Sequence, residues 1–157
     1  SEPRSNRERI IVEFPQEATV MKSAEVSYQP TEKLDGYTGA GFVELDRNAA
    51  PVEVSVNVPE DGVYSVRLRY ANGNGPVNTE NKAGVRTLTL DGAKVGTVVL
   101  PHRGRGNWND WGMTNGIRLN LSKGQHTLGI QYLPENENMN IDTNHALVDH
   151  LHIERVR

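Results

Sequence analysis

The side chains that could do chemistry gather in three segments. ANGNGPVNTENKAG carries Asn72, Asn74, Asn78 and Asn81; PHRGRGNWNDWG carries His102, Arg103, Arg105, Asn107, Trp108, Asn109 and Trp111; PENENMNIDTNHA carries Asn136, Asn138, Asn140, Asn144 and His145. Carboxamides and guanidinium groups give paired hydrogen bonds to adjacent hydroxyls, and an indole offers a flat apolar surface to a C–H face. Together they suit a neutral polyhydroxylated ligand, as on a lectin surface. Asn and Gly also serve turn geometry by tolerating left-handed backbone and bonding it, so a single asparagine says little. Both tryptophans in one segment say more. One of Trp108 and Trp111 is expected in core packing and the other facing ligand. Trp108, flanked by Gly106, Asn107 and Asn109, is the more loop-like and is favoured as the stacking platform. Arg103 and Arg105 would also suit a uronic acid, through charge-assisted bonds to its carboxylate.

Reaction chemistry is harder to assemble. Glycoside hydrolysis needs two carboxylates about 5–10 Å apart flanking the bond. Glu135, Glu137 and Asp142 share a loop, but nothing apolar surrounds them to raise a carboxyl pKa, and they read as solvated acids. His150 and His152 have the i, i+2 spacing that puts both on one strand face, as in some zinc sites; no third ligand is evident, and they read as solvent-facing. Cysteine is absent, which excludes a thiol nucleophile, a disulfide scaffold and cysteine-ligated zinc. The expectation is a domain that is not an enzyme.

The chain has 157 residues, 17 Lys and Arg against 20 Asp and Glu, and a formal charge of -3. That balance lacks the electrostatic footprint of a nucleic-acid binder, since phosphate neutralisation supplies most of that affinity. No apolar run approaches the roughly 20 residues of a membrane span, and the polar start SEPRSNRER has no signal-peptide core. Residues 1–9 read as a linker or arm and residues 10–157 as one domain cut from a longer chain.

The elements that must position the loops are strands. In PVEVSVNVP, Val52, Val54, Val56 and Val58 fall on one face and Glu53, Ser55 and Asn57 on the other. In VYSVRLRYA, Tyr64, Val66, Leu68 and Tyr70 point inward and Ser65, Arg67 and Arg69 outward; with the PEDG turn the two strands predict a hairpin. Asp91-Gly92 in RTLTLDGAKVGTVVL is a strong signal for a second. GIRLNL, HTLGIQYL and ALVDHLHIE also alternate, and RIIVEF, a segment around ATVMKSAEVSY, and GFVEL are weaker strands. No amphipathic helix pattern competes. About ten short strands with Gly, Pro and Asn turns predict an all-β fold, a β-sandwich jelly roll of two antiparallel sheets. Strand parity then puts PEDG, DGAK and LSKGQ at one end and the long loops at the other, where function usually sits.

QEATV, YTGAGFVEL, VEVSVNVPEDGVYSVRLRYANG, TLTLDG, WNDW, LSKGQHTL and the closing VDHLHI, in this order, resemble carbohydrate-binding module family 35 and its relatives in family 6, over most of the chain. The resemblance implies a galactose-binding-like β-sandwich, a carbohydrate ligand and a non-catalytic role targeting a glycoside hydrolase or lyase in the same parent chain. It also implies a secreted, periplasmic or cell-surface location and a structural calcium ion; a monomer is expected. Tyr37, Asn72, Asn74, Arg103, Trp108, Trp111, Asn144 and His145 become the expected sugar contacts. Two positions depart from the pattern. The first-strand Glu-Ala-Glu element is replaced by the Glu13–Glu17 stretch, and Leu147 stands where relatives often carry a ligand-binding Asn. The loop before Leu147 could replace it from Asn140, Asp142, Asn144 or His145. The rival reading is a sandwich that packs on a catalytic domain and binds no sugar.

The ion can also be argued from burial. Asp149 is in phase with Leu147, Leu151 and Ile153, so its carboxylate is expected to point inward and to need a partner. Calcium held by Asp149, Glu13 or Glu17, Gln16 and backbone carbonyls would serve; pairing with an Arg or with backbone N–H groups is the alternative.

Overall fold

The computed structural model describes residues 9–13, 36–38, 42–45, 51–73, 83–103, 109–136 and 146–157; of Glu13 and Glu44 only the backbone is described. Among the described residues, alternation of apolar and polar residues becomes ten strands: β1 (Arg9–Glu13), β2 (Val43–Leu45), β3 (Val52–Val58), β4 (Gly62–Ala71), β5 (Gly84–Leu90), β6 (Ala93–Leu100), β7 (Gly112–Met113), β8 (Ile117–Leu121), β9 (Gly124–Gln131) and β10 (Ala146–Arg155). The segment around ATVMKSAEVSY lies outside the described residues, and Arg9, counted with the arm, already pairs with Glu154 in β1.

Pairing follows the jelly-roll rule in which strands pair from the ends of the chain inward. β2 pairs with β10, β3 with β9, β4 with β7 and β8, and β5 with β6, all antiparallel. One sheet therefore runs β1-β10-β4-β7, with β2 on β10 and β8 on β4, and the other runs β3-β9-β5-β6. The expected hairpin of β3 with β4 does not form. Both strands are apolar on one face, and the PEDG turn carries the chain across the sandwich, so that these faces bury against each other and not side by side. The Asp91-Gly92 hairpin does form, with positive φ at both residues (50° and 89°).

Val56, Val58, Leu88, Val98, Leu128 and Ile130 of one sheet meet Tyr64, Val66, Leu68, Leu119, Leu151 and Ile153 of the other in a single core. Burying each such side chain contributes about 1.5–3 kcal/mol. The short turns cluster as parity requires: Lys123 N donates to Asp61 Oδ1 at 2.7 Å, and Thr127 N to Asp91 Oδ1 at 2.8 Å.

β10 breaks its own alternation. Val148 pairs with Tyr70 and His150 with Arg69, leaving Asp149 as the extra residue of a bulge. Ala146 and Val148 face the main core before it, and Leu151 and Ile153 after it, while Leu147 joins a separate cluster. The expected common phase of Leu147, Asp149, Leu151 and Ile153 is thus overturned: one inserted residue resets the register, and Asp149 does not share a face with Leu151.

Candidate functional site

At the end of the sandwich away from the short turns, the exits of β4 and β6 are laced together. Arg103 N donates to Asn72 O at 2.8 Å, Tyr70 Oη to Pro101 O at 2.8 Å and Asn72 Nδ2 to Leu100 O at 2.9 Å. Arg103 then holds the segment before β7: Nε donates to Asp110 O at 2.8 Å, and the guanidinium lies 6.0 Å from the Tyr70 ring centre. Gly112 sits under this guanidinium, in space a methyl group would have to share. Burial raises the pKa of Tyr70, partly opposed by Arg103.

Beside this lacing stands an aromatic trio. Tyr37 and Phe42 have ring centres 5.0 Å apart at 65°, Tyr37 and Trp111 6.3 Å at 70°, and Phe42 and Trp111 5.8 Å at 55°. The two pairs made by Tyr37 are edge-on and the Phe42–Trp111 pair is tilted; such pairs contribute about 0.5–1.5 kcal/mol each beyond area burial. Phe42, Ala71 and Leu147 form its buried floor, and Tyr37 and Trp111 remain half-buried. Leu147 is 0% exposed, so the position at which the family resemblance implies an amide is here the apolar footing of the rings.

Arg69 ties the trio to the bulge. Its Nη1 donates to Gly36 O at 2.9 Å and to Asp149 Oδ2 at 2.6 Å, while the guanidinium lies 5.7 Å from the centre of Trp111. Thr38 completes the cluster: its N donates to Asp149 Oδ1 at 2.8 Å, and its Oγ1 lies 3.1 and 3.2 Å from the two carboxylate oxygens and 2.9 Å from His150 Nδ1. His150 Nδ1 also stands 3.3 Å from Asp149 Oδ2, and a consistent proton arrangement has Nδ1–H shared between Thr38 Oγ1 and that oxygen while the hydroxyl donates to Asp149. Burial alone would raise the pKa of Asp149; hydrogen bonds from His150, Arg69 and Thr38 more than offset it and hold the carboxyl below its ordinary value.

The expected sugar contacts therefore divide. Tyr37, Arg103 and Trp111 meet at one end of the fold. Asn72 stands there too but is 0% exposed and donates its amide to the chain, which makes it part of the scaffold. Asn74, Trp108, Asn144 and His145 lie outside the described residues. Sequence reasoning missed Phe42, Thr38 and Arg69; the outward face of Arg69 was legible, but not the segment that covers it.

Of the expected calcium ligands, Gln16, Glu17 and the side chain of Glu13 lie outside the described residues. Around Asp149 itself every described partner is a hydrogen-bond donor or a cation, whereas calcium needs oxygen acceptors at about 2.3–2.6 Å. The described groups around Asp149 are therefore those of a carboxylate paired with an arginine and not a set of calcium ligands. Among the described residues no three His, Cys, Asp or Glu side chains cluster as a metal site. His150, expected to face solvent, is 6% exposed, because the Thr38 segment covers it; burial lowers the pKa of His152.

Of the three acids weighed for hydrolysis, Glu135 alone is among the described residues. Glu135 is exposed, and the hydrogen bond from Lys94 Nζ at 3.1 Å lowers its pKa; Glu137 and Asp142 lie outside the described residues. Ser122, His126 and Asp91 have the types of a nucleophilic triad without its chemistry. His126 Nδ1 is 2.8 Å from Asp91 Oδ2, and Nε2 is 2.8 Å from Ser122 O and 3.3 Å from its Oγ. Both ring nitrogens face acceptors, which favours a proton on each; the pKa of His126 is raised, mainly by Asp91. An imidazolium has no lone pair with which to activate the hydroxyl.

No protein-family model matches the chain. Over 110 residues it is 36% identical to a 1,6-alpha-glucosyltransferase of Sporosarcina globispora, a match covering 68% of this chain and 8% of that enzyme. A family 35 carbohydrate binding module from Clostridium thermocellum aligns with a TM-score of 0.62 at 21% identity, over 93% of this chain and 97% of that one. A cycloisomaltooligosaccharide glucanotransferase of Paenibacillus, complexed with cycloisomaltoheptaose, aligns with a TM-score of 0.62 at 25% identity, over 94% of this chain and 18% of that one. The class is a jelly-roll β-sandwich that matches one small part of much longer enzymes. More narrowly, the fold is that of the family 35 carbohydrate-binding modules.

Proposed function

We propose that this domain is a non-catalytic carbohydrate-binding module that holds a linked carbohydrate-active enzyme at its polysaccharide, with α-1,6-linked glucose chains as the first ligand to test. The observation that carries the reading is the pair of half-exposed rings, Tyr37 and Trp111, on a buried floor at the loop end of the sandwich. Such rings accept the C–H face of a pyranose while nearby polar groups take its hydroxyls. Arg103 and Asp110 stand within this region, and Asn74, Trp108, Asn144 and His145 are the further contacts expected from the sequence. The ligand class rests on the names of the enzymes to which the chain is similar.

A shallow site of this kind binds in the micromolar to millimolar range, about -8 to -4 kcal/mol. Weak binding suffices when the module is tethered, because the linker sets a high effective concentration of enzyme at the substrate. Action on an extracellular polysaccharide agrees with the expected secreted or cell-surface location, and one site per tethered module with a monomer. The test is affinity electrophoresis in gels containing dextran, with xylan and galactan gels alongside. Retardation in dextran that weakens in Trp111→Phe and more in Trp111→Ala is expected. Unretarded migration in every gel would favour the rival reading, a sandwich that serves only to pack on a catalytic domain.

A further inference from the structure

We infer that Arg69 is the built-in counter-ion and positioning residue of the Tyr37–Trp111 site, so that the site needs no divalent cation; the positioning half of this inference rests on the sugar-binding reading above. The bulge of β10 turns the Asp149 carboxylate onto Arg69 and under the Thr38 segment, and Asp149 is 0% exposed. A carboxylate buried there requires compensation. The structure supplies it from the protein: a guanidinium at 2.6 Å, a backbone N–H at 2.8 Å, the Thr38 hydroxyl and the His150 ring nitrogen at 3.3 Å.

The same guanidinium also reaches two parts of the proposed site. One donor holds Gly36 O, which fixes the approach of the 36–38 segment, and its face lies 5.7 Å from the centre of Trp111. Gly36 has φ +87°, and a methyl group there would stand 3.1 Å from Trp111 Cδ1, so the segment and the indole are in close register. Neutralising Asp149, anchoring the Tyr37 segment and backing the indole are therefore done by one side chain. A cation at Asp149 Oδ2 would compete with Arg69 for that oxygen, and so with both of these contacts.

The experiment uses the whole chain, measured in chelator and in millimolar calcium, as wild type, Asp149→Asn, Arg69→Met and the double variant. Melting temperature, dextran retention and tryptophan fluorescence are read on each. Wild type is expected to melt and bind identically with and without calcium. A melting temperature that rises with calcium would overturn the counter-ion assignment, because an ion that binds only the folded state must raise it. Arg69→Met is expected to melt well below wild type, since it takes the guanidinium from a buried carboxylate and leaves it only the Thr38 and His150 contacts. The double variant removes that charge and is expected to recover much of the melting temperature, while its dextran affinity stays about tenfold below wild type and its fluorescence remains shifted. Wild-type affinity in the double variant would overturn the positioning role. If no variant, wild type included, binds any sugar, the functional reading fails, and the calcium and melting arms still decide the counter-ion.

Discussion

Gly36 offers the most informative single perturbation because Gly92 provides its control. Both have left-handed backbone, at φ +87° and +89°, but a Cβ on Gly92 meets nothing within 4 Å, whereas one on Gly36 stands 3.1 Å from Cδ1 and 3.2 Å from Nε1 of Trp111. Alanine in that conformation costs about 1–2 kcal/mol in either case. For a chain of this length each kcal/mol lowers the melting temperature by about 2–4 °C, so Gly92→Ala is expected to melt about 2–8 °C below wild type and to bind dextran as wild type does. Gly36→Ala adds an indole that must shift by a few tenths of an ångström. If the shift forfeits an aromatic contact worth about 0.5–1.5 kcal/mol, affinity falls about two- to twelvefold. Differential scanning fluorimetry and titration with a linear isomalto-oligosaccharide measure the two quantities. Equal melting temperatures together with wild-type affinity in Gly36→Ala would refute the reasoning, because the Gly36–Trp111 approach would then be holding nothing.

Asn72→Ala is expected to lower stability by about 1–3 kcal/mol through the unpaired Leu100 carbonyl, with affinity per folded molecule unchanged; chemical denaturation and titration separate the two. Leu147→Ala should cost about 2–5 kcal/mol in denaturant unfolding, as for other fully buried leucines, and loosen the rings above it. The His126–Asp91 clasp gives a pH dependence of known sign. The folded pKa of His126 is raised from about 6.5, so its stabilisation is complete below that value and is lost as pH rises through the folded pKa. That of Asp91 is lowered from 3.8, mainly by the Thr127 N–H, so its share is complete above that value and is lost as pH falls through the folded pKa. Melting temperature across this range is expected to fall on the alkaline side in wild type and to lose that slope in His126→Gln.

Much of the fold was legible because period-two burial is a local signal. The inward sets on β3 and β4 both reach the core, and strand parity alone gathered Asn72, Arg103 and Trp111 at one end. Pairing was less legible. Nothing local distinguishes a PEDG turn that closes a hairpin from one that crosses between sheets; only the long-range demand that two apolar faces bury each other decides it. The bulge was illegible for a related reason: ALVDHLHIE alternates well enough in one phase, and the reset at Asp149 is fixed by Arg69 and Thr38, 80 and 111 residues away in sequence. The same reset sets the Asp149 carboxylate against an arginine. Of the two candidate tryptophans, the favoured Trp108 lies outside the described residues, and the half-buried place of Trp111 beside Phe42 follows from the GFVEL strand returning next to β10.

The central claim is that sugar binds at the Tyr37–Trp111 rings. Backbone and indole amide spectra of the isotopically labelled chain, titrated with a linear isomalto-oligosaccharide, test it most directly. Shifts concentrated at Tyr37, Arg103, Asp110 and the Trp111 indole N–H, saturating in the micromolar to millimolar range, are the expected result. Shifts confined to the short-turn end around Asp61, Asp91 and His126, or an unchanged spectrum with this and other glycans, would contradict it.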